Sequence, residues 1–481
     1  MTHQHALTHT SERLYNEDLA PAKERHWGTW HLFCMWMSDV HSIGGYTFAA
    51  GLFFLGLTAW QVLLALIAGI VVVFLLMNLS GNIGQRLGVP YPVLARISFG
   101  LFGANLPALI RGIIAIFWYG IQTYLASVAI VVLLLAVFPG LKPLTETSFF
   151  DQSILGWIAF LGLWTVQLLI LQRGMETVRR YQDFAGPAVY VVMFALVIWI
   201  VSQAGGNLNL DLSATKAASG GETVVKFLTA MALVVAYFST LLLNVADFTR
   251  FAPSPSAVRW GNFWGLPVNF TAFTVVSVLT TAGTIAIFGQ AITDPVEIVA
   301  RIPNVFVLVL GAITFTVATI GINIVANFVS PAYDLANVAP KYINFQRGGA
   351  IAAVIAIFVL PWKIYSNPVA INYFLGGLAA FLGPLFGIIM VDYYLLRRKQ
   401  VDIAALYQEG PASPYWYEGG LHRRAVLAFA GGAVLAAVLA LVPAFGGIAP
   451  FSWFIGVVVG GGLYWLLAAP ERQRAPRPAV A

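Results

Sequence analysis

The chain has 481 residues, of which 59% are hydrophobic and 10% charged, with a mean hydropathy of +0.82. Soluble proteins carry about 25% charged residues, so this composition excludes a soluble fold and defines an all-α polytopic membrane protein. The net charge of +6 belongs to loops rather than to a nucleic-acid surface, and Cys34, the single cysteine, excludes an intrachain disulfide.

Residues 1–28 form a polar tail with histidines at positions 3, 5, 9 and 26, a pattern of disorder rather than of a metal site. The tail has no apolar core of signal-peptide length, so no cleavable leader is expected. Beyond it, 112–141, 261–293 and 302–333 contain no Asp, Glu, Lys or Arg. Each is long enough for one tilted span of about 20 apolar residues. Twelve helices are predicted, at 30–57, 60–80, 104–137, 153–172, 184–203, 224–246, 262–288, 304–329, 348–361, 368–395, 425–443 and 449–468. The stretches 138–152 and 205–223 read as external loops, and "TDPVEIVARI" as a short amphipathic helix at the interface. Pro411–Tyr417 is a linker between a ten-helix body and a final pair. With both termini cytoplasmic, every Lys and Arg except Lys142, Lys216, Lys226, Arg301 and Lys363 falls on the cytoplasmic side. That bias fits an even number of spans in the inner membrane.

Polar residues inside spans are costly and usually face a cavity or one another. In the first helix, "WMSDVHSIGGY" holds Asp39 and His41 ahead of Gly44 and Gly45. The glycines either let the helix unwind beside a cavity or let a neighbour pack closely. In the third helix, Trp118 and Gln122 lie four residues apart and share a face. An indole can stack on a planar ring, and a primary amide both donates and accepts hydrogen bonds. Asn323 and Asn327 of the eighth helix are also four apart. They serve either interhelical bonding or the recognition of a ligand's polar edge. In the sixth helix, "AYFSTLLLNVADFTR" holds Phe238, Ser239, Thr240, Asn244 and Asp247. Asp247, near the helix end, fits a structural ion pair or helix cap as well as a transport role.

"NEDLAP" before the first helix, "W" with "GIQTYL" on the third, "NIVANFVSPAYDLANVAPKY" on the eighth and "LGPLFGIIMVDYYLLRRK" on the tenth resemble the nucleobase:cation symporter family 1. That family includes purine–cytosine, uracil, allantoin and hydantoin permeases. The likeness runs from about Asn16 to Tyr407, and "WMSDVHSIGGY" looks closest to the purine–cytosine and uracil branch. The resemblance implies a LeuT-type fold of two inverted five-helix repeats, 29–203 and 224–396, with the first and sixth helices broken. A cytoplasmic linker at 397–424, a helix pair at 425–468 and a cytoplasmic tail at 469–481 complete the organisation. No Gly or Pro interrupts the sixth helix, so its break is expected from the family alone.

Carried over by motif, Trp118 and Phe238 would stack on the substrate ring, and Gln122 and Asn327 would bond its edge. Ser42 and Ile43 would line the break in the first helix. Ion-coupling candidates are Asp39, His41, Ser38, Ala318 and Gly321. Sodium-coupled relatives place two neighbouring hydroxyls on the eighth helix, where this chain has Gly321 and Ile322. Proton coupling through the titratable Asp39 and His41 is the natural replacement.

The expectation is a monomeric secondary active importer of a planar nitrogen heterocycle, coupled to H+ and needing no cofactor or metal. Sodium-coupled symport of a hydantoin, allantoin or urocanate is the alternative, and a passive channel or a membrane-embedded enzyme a remote one. No HExxH, metal-ligand cluster, P-loop or GxSxG motif is present to support an enzyme.

Overall fold

In lipid every backbone N–H and C=O must be satisfied within the protein, so apolar runs of this length become helices. The computed structural model describes residues 10–41, 43–206, 208, 220–290, 292, 295–302 and 304–468. All twelve predicted spans contain helix. Among the described residues, eight helices are long and apolar enough to cross a membrane. They are the second (Ala59–Leu87), third (Asn105–Val137), fourth (Ile154–Gln172), fifth (Met175–Gln203), seventh (Pro255–Phe288), eighth (Val305–Val338), eleventh (Arg423–Leu441) and twelfth (Ala449–Leu467). The ninth, Phe345–Phe358, is short, and the tenth runs from Pro368 to Met390 and continues as a π turn to Leu396.

The first helix is interrupted and the sixth is irregular. The first runs from Thr29 to Val40, leaves helical geometry at His41 (φ −85°, ψ 98°), and resumes at Ile43–Gly51. The sequence placed the weakness at Gly44 and Gly45, but both lie inside the second half-helix. The sixth runs from Gly221 to Tyr237, pauses at Phe238 (φ −85°, ψ 0°), and resumes at Ser239–Asn244. The sixth helix is thus irregular at Phe238 without Gly or Pro, but it is not unwound there: Phe238 N–H donates to Val234 O at 3.2 Å and Leu242 N–H to Phe238 O at 3.1 Å across the pause. Ser239 Oγ donates to the Ala236 carbonyl at 2.6 Å, occupying an acceptor that a regular helix would bond through its backbone.

Helix ends follow local chemistry. Thr58 and Gln61 form a capping box at the second helix, and Ser153, Asn304 and Asn344 cap the fourth, eighth and ninth. The structure adds elements the apolar pattern does not reveal. A helix at Tyr91–Phe99 follows the second span, every residue of it buried. In the loop 138–152, β1 (Ser148–Phe149) pairs antiparallel with β2 (Gln152–Ser153). The short helix predicted in "TDPVEIVARI" is present at Pro295–Ala300; Thr293 and Asp294 lie outside the described residues, as does most of 205–223.

The first helix sits at the centre, against the fifth, seventh and eighth. Close approach there depends on small residues: a Cβ on Gly265 of the seventh helix would lie 2.3 Å from the Trp36 ring. The last pair packs tightly on the tenth helix, where a Cβ on Gly460 would fall 2.7 Å from Pro384. The linker before that pair is docked, not loose: Ser413 and Tyr415 are buried, and Leu101 N–H donates to the Tyr415 carbonyl. Residues 10–28 cross the face that bears the termini, with Leu14, Leu19 and Trp27 buried and Asn16 donating to the carbonyls of Pro340 and Ile343.

Candidate substrate chamber

Asp39, two residues before the break in the first helix, and Phe238, at the pause in the sixth, border one cavity of about 540 Å³. Trp118 and Gln122 line it from the third helix, Phe238, Ser239 and Thr240 from the sixth, Asn327 and Ala326 from the eighth, and Asp39 from the first. It extends along the second half of the first helix, past Phe48 and Leu55, to Ala440, Ala449 and Pro450 of the last pair. Polar side chains and four aromatic ones, Phe48, Trp118, Tyr237 and Phe238, thus sit in an otherwise apolar wall, the arrangement of a small-ligand site.

The eighth helix makes a π turn over Asn323–Phe328. Widening the turn brings residues four apart closer to vertical alignment than in an α-helix, and such turns recur at functional sites. The two asparagines divide the roles the sequence left open between them. Asn323 is fully buried and bonds across helices, its Nδ2 meeting Tyr119 O at 3.1 Å, Thr123 Oγ at 2.9 Å and Gln167 Oε1 at 2.7 Å. Asn327 lines the chamber and donates to Asn323 Oδ1 at 3.1 Å.

Of the other predicted residues, Asp39 borders the chamber, with Oδ1 buried and without a partner among the described residues. Gln122 Oε1 is likewise unpartnered, and its Nε2 lies 3.2 Å from where a Cβ on Gly44 would stand. His41 is 1% exposed and does not border the chamber. Its ring packs edge-on against Tyr190 at 4.3 Å and Phe273 at 5.2 Å. Ser38 and Ala318 are buried away from the chamber. Gly321 faces Ser38, whose Cβ would lie 3.1 Å from a Cβ at 321. Ser42 lies outside the described residues, and Ile43 opens the second half-helix.

The residue the sequence concealed is Arg111. It falls inside the predicted third helix, 104–137, where the sequence counts it only toward the cytoplasmic charge; it is fully buried. Its guanidinium donates to Asn244 Oδ1 at 3.0 and 3.2 Å, to Ala326 O at 2.5 Å and to Thr240 O at 3.3 Å. It thereby ties the sixth helix, just beyond its pause, to the π turn of the eighth. Asn244 Nδ2 donates to Asp247 Oδ2 at 3.2 Å, and Tyr91 N–H donates to Asp247 Oδ1 at 2.8 Å. Asp247 therefore caps the helix at Tyr91–Phe99, and the structural reading of that residue holds. Arg96, counted as a loop cation, is buried and bonds Leu406 O and Asn337 Oδ1.

A central chamber beside the irregular stretches of two helices within a multi-span helical body defines a membrane transporter rather than an enzyme. The profile of the family described as "Permease for cytosine/purines, uracil, thiamine, allantoin" matches residues 20–463, and the chain belongs to this family, the nucleobase:cation symporters. It is 38% identical over 460 residues to the allantoin permease of Bacillus subtilis, covering 95% of this chain and 94% of the relative. It is 31% identical to the purine-uracil permease NCS1 of Arabidopsis thaliana, covering 94% and 78%. The fold matches Mhp1, a nucleobase-cation-symport-1 family transporter in a closed conformation with bromovinylhydantoin bound, at a TM-score of 0.79 and 21% identity, covering 96% and 97%. The inward-facing conformation of Mhp1 matches at 0.72, with 20% identity and 97% and 99% covered.

Proposed function

We propose that this protein imports a planar nitrogen heterocycle or ureide across the inner membrane by proton symport, as a monomer with both termini cytoplasmic. The observation that carries the reading is the chamber itself. Trp118, Phe238, Gln122, Asn327 and Asp39, whose Oδ1 has no hydrogen-bond partner among the described residues, converge on one cavity beside the irregular stretches of the first and sixth helices. Trp118 and Phe238 offer ring faces, and the two amides offer hydrogen bonds to a ring edge. Among such rings we favour allantoin, because the B. subtilis relative named for it shares 38% identity across nearly the whole chain.

Asp39 takes the coupling proton. It is the titratable group that borders the chamber at the first break, while His41, two residues on, is enclosed by Tyr190 and Phe273. A sodium ion wants several oxygen ligands, and Gly321 and Ile322 carry none in their side chains. Substrate enters with the face opposite the termini open, and the helix bundle rocks to release it to the cytoplasm. Proton and ring each raise the other's affinity by the same factor, as linkage requires.

The test is uptake of labelled allantoin and uracil into proteoliposomes under an inward-directed proton gradient, with choline in place of sodium. Concentrative uptake that collapses with an uncoupler is expected. Strict dependence on sodium overturns the proton assignment, and simple equilibration would indicate a channel.

A further inference from the structure

We propose that the buried amide chain Gln167–Asn323 fixes the polarity with which Asn327 meets the substrate, so that Asn327 offers its carbonyl oxygen and the substrate must bring an N–H. This rests on the chamber being the heterocycle site.

A primary amide has a donating and an accepting end that exchange by a half-turn. Its direction is set only by a neighbour that can do one and not the other. Two backbone carbonyls do this here. Gln167, 1% exposed on the fourth helix, directs Nε2 at Leu163 O at 3.2 Å and at Thr123 Oγ at 3.2 Å. Its Oε1 is left to accept from Asn323 Nδ2 at 2.7 Å. Asn323 Nδ2 also meets Tyr119 O at 3.1 Å. Neither carbonyl can donate, so turning either amide round would set oxygen against oxygen in a buried site. Asn323 Oδ1 is therefore an acceptor, and the group that meets it, at 3.1 Å, must be Asn327 Nδ2.

Asn327 thus has one N–H committed. Its Oδ1 accepts nothing from the described residues and is the free end of a side chain that lines the chamber. Gln122, the other amide of the chamber, makes no such anchored bond, and its Oε1 has no partner among the described residues. The chamber therefore pairs one keyed amide with one that can present either end. Asn327 demands a donor from the ring, while Gln122 adapts to what stands opposite. Gln167 and Asn323 are positioning residues in this scheme: they act on the ligand through Asn327.

The experiment measures dissociation constants on the purified protein by tryptophan fluorescence, with two matched pairs of rings. The pairs are hydantoin with 1,3-dimethylhydantoin, and uracil with 1,3-dimethyluracil. In the wild type the N–H ring of at least one pair binds about tenfold or more tightly than its dimethyl partner. Gln167→Met weakens the N–H ring by about fivefold to tenfold and leaves the dimethyl ring unchanged. Gln167→Glu restores the wild-type preference as the neutral acid, its O–H taking the place of Nε2 toward Leu163 O and its C=O still accepting from Asn323. Equal weakening of both rings by Gln167→Met would mean a packing role only and would overturn the proposal, as would no change in either. The wild-type comparison needs no variant: dimethyl rings that bind as tightly as their parents sink the proposal by themselves. If none of the four rings binds, the heterocycle reading itself fails, and this inference with it.

Discussion

Two polar regions meet at Ala326, which borders the chamber and whose carbonyl accepts from Arg111. They differ in what their bonds connect: the Arg111 side ties helices together, although Arg111 Nη1 has no partner among the described residues, while the chamber side leaves oxygens facing a cavity. On the Arg111 side, Asn244, Asp247 and Tyr91 N–H form a connected set that links the third and sixth helices to the helix at Tyr91–Phe99. On the chamber side, Asp39 Oδ1 and Gln122 Oε1 have no partner among the described residues. A buried polar atom left unbonded costs about 1–3 kcal/mol, and at the chamber a bound ring or proton can recover that cost. The bonded set holds helices in place. The unbonded one is where a ring and a proton can be received.

The contrast breaks most clearly at Arg111. Its guanidinium faces Asp334, Asp247 and Asp39 as well as the oxygens it bonds, so Arg111→Leu strips a buried cation from three buried carboxylates. Removing one partner of such a set costs about 3–5 kcal/mol. The melting temperature in detergent should fall steeply and expression with it; a variant that melts like the wild type would show that the bonded set is not structural.

The chamber should answer in the opposite way. Gln122→Ala and Trp118→Ala each weaken ring binding by about 1–3 kcal/mol, read by titration calorimetry, while the melting temperature of the unliganded protein holds or rises. Asp39→Asn keeps a side chain of the same shape but cannot carry the proton. Ring binding should change by no more than a few-fold, with counterflow retained and uptake no longer responding to a pH gradient. If Asp39→Asn still concentrates substrate against a gradient when driven by protons alone, the coupling proton sits elsewhere.

The same contrast explains how much was legible beforehand. Apolar runs show directly in the sequence, so the spans and their approximate ends were predictable. Polar residues inside the spans also showed, and Trp118, Gln122, Phe238, Asn327 and Asp39 do share a chamber. What a polar residue bonds to depends on other helices, and no local pattern records it. Arg96 looked like a loop cation, and Arg111, inside the predicted third helix, had no role beyond the charge count, yet both are buried. The pause in the sixth helix escaped the usual Gly and Pro signals because it is made by Phe238 and the Ser239 hydroxyl. "FST" is a weak signal for it, a hydroxyl competing for a helix carbonyl. Nothing in the sequence marks the π turn at Asn323–Phe328.

The smallest effect tests the finest point of the comparison, the role of Gly44. The sequence offered two uses for it, unwinding or close packing, and the structure puts it inside the second half-helix. There it lies against the amide of Gln122, with 3.2 Å between Nε2 and the place a Cβ would take. That separation is tighter than an ordinary carbon–nitrogen contact, so Gly44→Ala should displace the amide by a few tenths of an ångström. Alanine is no worse than glycine for the helix, and the stability of the unliganded protein should be unchanged or slightly raised. Ring affinity should fall by about 1 kcal/mol, because the amide no longer meets the ring edge squarely. The double variant Gly44→Ala with Gln122→Ala isolates the cause. If the glycine matters only through the amide, the second substitution removes the effect of the first, and the two losses fail to add. Additive losses would instead place the role of Gly44 in the shape of the broken helix.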